Sequence, residues 1–86
     1  MTVRFDDLDT GWRFSAVRPP DIRIELHWVH ARGMWLQGTV VGDGAPTQDP
    51  IPVALRSPEG LDDEERRQDA AEIAREHLER LGAWTR

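Results

Sequence analysis

His27, His30, His77, Ser15 and a set of carboxylates are the residues of this chain whose types could do chemistry. His27 and His30 have the composition of a metal pair, imidazole being the commonest protein ligand. On a strand, however, a spacing of three sends the two rings to opposite faces, so a chelate needs a bent backbone and a third ligand. Ser15 and His27 form the one nucleophile–base combination that strand alternation can place on a common face. Nothing in the sequence orients that histidine, and a flat sheet offers no oxyanion hole. His77 falls within an apolar helical stripe and reads as a core or interface histidine, neutral and hydrogen-bonded to backbone.

Short motifs fare no better. Asp9-Thr10-Gly11 spells the triplet of aspartic proteases, but the apolar strands and the later glycine-bearing motif that should accompany it are missing. The same stretch fails as a calcium loop, because its glycine comes one place early and Arg18 stands where the closing glutamate belongs. Gly42-Asp43-Gly44 leads into Ala-Pro-Thr and not into a helix N-terminus, so it reads as a turn and not as a phosphate site. Absence of cysteine excludes thiol nucleophiles, disulfides and thiolate zinc sites, and absence of lysine excludes Schiff-base chemistry. The expectation is a protein with no metal, no cofactor and no catalytic residues.

The scaffold that must carry these residues is small. Eighty-six residues suffice for one domain, close to the lower limit for a self-sufficient core. All eleven basic residues are arginine, and lysine, asparagine and tyrosine are missing together, which points to a GC-rich bacterial or phage genome. A net charge of −5 disfavours non-specific attraction to nucleic acid or to an anionic membrane. The N-terminus lacks a basic segment followed by an apolar run, so a cytoplasmic location and no membrane partner are expected.

The central stretch, Ile22 to Val41, reads as a β-hairpin. Ile22, Ile24, Leu26 and Trp28 alternate with Arg23, Glu25 and His27, the period-two signature of a strand with one buried face. Ala31-Arg32-Gly33 suits a three-residue loop ending in a left-handed glycine. That loop pairs His30 with Met34, and hence Trp28 with Leu36, Leu26 with Gly38 and Ile24 with Val40 on the buried side. Upstream, a short strand near 3–5 precedes a turn over Asp6 to Gly11. A strand at 12–18 then sends Trp12, Phe14 and Ala16 to one side and Arg13, Ser15 and Val17 to the other. Pro19-Pro20-Asp21 forms the following turn. Downstream, Gly42 to Pro50 is a loop, and a strand near 51–56 is confined to an edge by Pro50 and Pro52.

Asp62 with Glu65 three residues on is an acidic relative of the capping box, and a helix is expected over 62–81 with Gly82 as its stop. Ala70, Ile73, Ala74, His77, Leu78, Leu81 and Trp84 fall on one stripe of it. The first turn, polar all round, is expected to project past the sheet. The expected fold class is α+β: an antiparallel β-meander of three to five strands with one C-terminal helix packed on one face, a two-layer sandwich spanning residues 1–86 as a single domain.

The face left without a helix is where function is expected. The anticipated register places Trp35 there beside Val29, with His27 opposite Gln37, Arg23 opposite Val41, and Arg13 and Val17 from the preceding strand. A tryptophan among valines and arginines on an uncovered face suggests a partner surface. The reading is a small non-enzymatic protein–protein interaction module, an accessory, regulatory or inhibitor protein of a type frequent in phage and mobile elements. Its partner is another protein, or a second copy through the same face or an edge strand. The second reading is single-stranded nucleic-acid binding, with Trp35 stacking on bases and Arg13, Arg23 and Arg32 near phosphates.

Overall fold

The computed structural model describes residues 4–18, 22–42 and 49–82. Five strands, β1 (Arg4–Leu8), β2 (Gly11–Arg18), β3 (Ile22–Val29), β4 (Met34–Val41) and β5 (Ile51–Val53), precede one helix, α1 (Asp63–Arg80). The strands form an antiparallel meander in sequence order, and the helix packs on one face, an α+β architecture. Val3, the Pro19-Pro20-Asp21 turn, residues 43–48 of the expected loop and Trp84 lie outside the described residues.

The alternation in β2 and β3 decides which residues the helix covers. Trp12 opposes Trp28, Phe14 opposes Leu26 and Ala16 opposes Ile24, all six buried. The helix meets them with Ala70, Ile73, Ala74 and Leu78, and the two alanines let it lie close to the sheet. Its start is capped as the sequence implies: the Asp62 carboxylate accepts the Glu65 N–H at 2.8 Å, and Glu65 reaches back to the Leu61 N–H at 2.7 Å. Gly82, at φ 72°, follows the last turn. The first turn does not leave the sheet altogether, since the Arg67 guanidinium lies 4.4 Å over the Phe5 ring of β1.

Two elements differ from their sequence reading. The expected turn begins too early, because Asp6, Asp7 and Leu8 continue β1, with Asp6 opposite Arg13 and Leu8 opposite Gly11. Arg13 explains this: its Nε and Nη2 donate to the Asp6 carboxylate at 3.2 and 3.1 Å, so a poor strand former is held by its cross-strand partner. The turn shrinks to Asp9-Thr10. Gly11 is required there by close approach, since a Cβ would stand 1.7 Å from the Trp28 carbonyl oxygen. At the other edge, β5 ends at Val53 and not near residue 56, where the Leu55 N–H turns back to the Val53 carbonyl at 3.0 Å.

The larger correction is the β3–β4 register. Val29, and not His30, pairs with Met34, so Trp28 opposes Trp35, Leu26 opposes Gln37 and Ile24 opposes Thr39. The loop is therefore four residues, His30 to Gly33. The Val29 carbonyl accepts both the Arg32 and Gly33 N–H groups, at 3.2 and 2.8 Å, and Gly33 takes the left-handed conformation at φ 60°. His30 is unavailable for pairing with Met34 because its N–H is spent on the Thr10 carbonyl of the neighbouring turn at 2.9 Å. A slip of one residue exchanges the two faces of a strand.

Candidate functional site

With the register slipped, the residues expected on the uncovered face divide. Arg13, Val17, Arg23, His27 and Val29 lie there, Arg13 opposite His27, Val17 opposite Arg23 and Val29 opposite Gly11. Trp35, Gln37 and Val41 do not; they share the helix side with Trp28, Leu26 and Ile22. Trp35 is 1% exposed, making it one of the most deeply buried side chains, and its Nε1–H donates to the Arg56 carbonyl at 3.1 Å. It cannot anchor a partner or stack on a base. No tryptophan or phenylalanine remains on the open face among the described residues, which removes the aromatic on which the nucleic-acid reading depended.

Gln37 has a different task. His77 Nε2–H donates to Gln37 Oε1 at 2.7 Å, while Arg80, which can only donate, reaches His77 Nδ1 at 3.5 Å. The imidazole is thus neutral with its proton on Nε2. Burial, reinforced by the charge of Arg80, lowers its pKa below the ordinary value. The pair satisfies a polar position on the helix side that the sequence reading had assigned to the uncovered interaction face, and it gives His77 a side-chain partner where a backbone one was expected.

The face opposite the helix is built instead from Arg4 and Asp6 of β1, Arg13, Ser15 and Val17 of β2, Arg23, Glu25, His27 and Val29 of β3, and Met34, Leu36 and Val40 of β4, of which Ser15 and Val40 are buried. Sequence reasoning missed Met34 and Leu36 as site residues because the three-residue loop had turned them inward. The missed signal lies in the loop: His30-Ala31-Arg32-Gly33 also suits a four-residue turn.

Two regions make up this surface. One is a ladder of paired charges. Asp6 accepts from Arg13 and, at 3.3 Å, from Arg4 Nε. Glu25 lies between Arg23 Nε at 3.3 Å and His27 Nε2 at 3.6 Å, the latter an ion pair when the imidazole is protonated. Desolvation opposes ionisation of Asp6, but the hydrogen bonds and charge of Arg13, helped by Arg4, outweigh it and hold the carboxyl below its ordinary value. The arginines are the outermost groups, their side chains 33–74% exposed against 21% for Asp6 and 15% for Glu25. Arg4, Asp6, Arg13, Ser15, Arg23 and Glu25 line an open pocket of about 110 Å³.

The second region is apolar. Val29, Met34 and Leu36 are half-buried neighbours on β3 and β4, and exposed Pro52 of β5 stands directly opposite Leu36. Further along β4, the Pro50 ring lies close over Gly38, and Val40 is 1% exposed outside the helix-side core.

A broader cavity of about 520 Å³ opens at the start of the helix, lined by Asp7, Trp12, His30, Asp63, Glu64, Arg66 and Arg67. His30 packs edge-on against Trp12 there, ring centroids 4.7 Å apart, on the side away from His27. Among the described residues, no group of three or more histidine, aspartate or glutamate side chains is placed to hold a metal ion. Nor is any described helix long and apolar enough to cross a membrane. No protein-family model matches the chain, and neither a curated protein nor a solved structure matches it.

Proposed function

We propose that this chain is a small non-enzymatic protein–protein interaction module, accessory, regulatory or inhibitory in role, that docks through the sheet face opposite its helix. The observation that carries this reading is the apolar strip Val29–Met34–Leu36–Pro52, which no described element covers. An apolar patch bordered by polar groups is the usual composition of a docking surface, and arginine is enriched in such interfaces. Arg4, Arg13 and Arg23 against Asp6 and Glu25 give the face one net positive charge on a chain of −5. Its natural complement is an apolar segment set in neutral or acidic surroundings.

The test is capture of a partner from lysate of the encoding organism, with and without nuclease, using wild type, Leu36→Arg and Leu61→Arg. Leu61 is 97% exposed next to the helix start and away from this face, which makes it the control. A protein retained by wild type and Leu61→Arg, resistant to nuclease and lost with Leu36→Arg, is the expected result. Retention by a folded Leu36→Arg variant, or recovery that depends on nucleic acid, would overturn the proposal.

A further inference from the structure

The two edges of the sheet are not equivalent. β5 is three residues long, follows Pro50 and contains Pro52, which has no N–H to offer a further strand. Such an edge is closed to extension. β1 is five residues long, has neither proline nor glycine, and pairs with β2 one for one without a bulge. It is the edge on which another strand can add.

Its charges restrict what that strand can be. In a two-fold antiparallel pairing, residues directly opposite share a face, so the dyad must pass through a residue pair. Centred on Arg4, Asp6 or Asp7, it sets a charge against its own copy. Centred on Leu8, it sets Asp7 against Asp9. Centred on Phe5, it sets Arg4 against Asp6 of the second copy twice over, on the open face, and Phe5 against Phe5 on the helix face. That one register has opposite charges facing and aromatic rings paired, both favourable cross-strand combinations.

A second feature lies at the same place. Beside Phe5, an open groove of about 340 Å³ is lined by Phe5, Glu64, Arg67, Gln68 and Ala71. Phe5 is only half-buried, tilted onto Phe14 at 5.1 Å between centroids. We infer that this chain pairs with a second copy of itself along β1, with the two-fold axis at Phe5, joining two five-stranded sheets into one. The groove receives the second copy's phenylalanine. The inference concerns an edge of the sheet and stands independently of the face proposed above.

A short ladder makes a weak dimer, so molar mass is measured by sedimentation equilibrium up to high concentration. Wild type should associate reversibly. Arg4→Glu sets two carboxylates in opposition and Asp6→Arg two guanidiniums, each weakening self-association about tenfold or more. An equimolar mixture of the two variants restores opposite charges at both positions and should recover the dimer. Wild type that remains monomeric throughout, association indifferent to both variants, or a mixture that fails to recover it would overturn the inference. Should Asp6→Arg fail to fold for want of its Arg13 partner, amide exchange decides. Concentration-dependent protection confined to residues 4–8 supports the β1 dimer, and protection confined to Val29–Leu36 refutes it.

Discussion

Trp28 and Trp35 face each other across the β3–β4 hairpin, their ring centroids 5.3 Å apart and their planes at 58°. With Trp12 opposite Trp28, they form a row of three buried indoles across the middle of the sheet. The two partners differ in their polar atoms. Trp35 Nε1–H has the Arg56 carbonyl, whereas Trp28 Nε1 is buried without a hydrogen-bond partner.

Trp35→Ala should therefore unfold much of the protein's stability, costing about 3–5 kcal/mol in chemical denaturation. Phenylalanine separates the volume of the two indoles from their N–H groups. Trp35→Phe strands the Arg56 carbonyl, while Trp28→Phe removes a donor that was unsatisfied already. The first should cost about 1 kcal/mol more than the second. Equal costs would mean that the Arg56 hydrogen bond contributes nothing.

His77 predicts a pH dependence. In the unfolded chain its imidazole takes up a proton near the ordinary value of 6.5, but in the folded chain only at lower pH. The unfolded state thus binds more protons in that window, so stability is full above about pH 6.5 and declines as pH falls toward the depressed folded value. Denaturant midpoints measured across this range should show the decline, and His77→Gln should flatten it. The depressed carboxylates of Asp6 and Asp69 act lower, where their contributions are lost as pH falls below about 3.8.

Gly11→Ala probes the junction of the two hairpins. The added methyl collides with the Trp28 carbonyl, and both belong to backbone that cannot swing aside. The β1–β2 hairpin must open or shift, at about 3 kcal/mol or more. Gly33→Ala, in open space but at positive φ, should cost about 1 kcal/mol. Thermal unfolding of the two variants side by side would rank them.

Asp69 ties down the segment that roofs Trp35. Its carboxylate takes both Arg56 Nη groups at 3.0 Å and the Glu59 N–H, and the Arg56 hydrogen bonds hold it below its ordinary pKa. Asp69→Ala should leave the helix intact but speed amide exchange several-fold at Leu55 and Glu59. Unchanged exchange there would show that the segment is held by packing alone.

What could be read from the sequence were the features one face or one turn can specify by itself. Strands β2 and β3 alternate apolar with polar residues except at Val17 and Val29 near their ends, so Trp12, Phe14, Leu26 and Trp28 had one side to go to, and Arg13, Arg23 and His27 the other. Asp62 and Glu65 marked the helix start, and its stripe of Ala70, Ile73, Ala74 and Leu78 marked the buried side. Strand β4 is different, because both of its faces are apolar: Trp35 and Val41 on one, Met34, Leu36 and Val40 on the other. A period-two pattern cannot choose between two such faces. The choice was made by contacts distant in the chain: the Thr10 carbonyl claiming the His30 N–H, Arg56 claiming the Trp35 indole, and His77 making room for Gln37. The same holds for β1, where Asp6 enters a strand only because Arg13 stands across from it. Apart from the second half of β1, local propensity decided which segments extend or coil. Which side of β4 became core, and hence which residues form the open face, was decided by hydrogen-bond partners that only the assembled fold brings together.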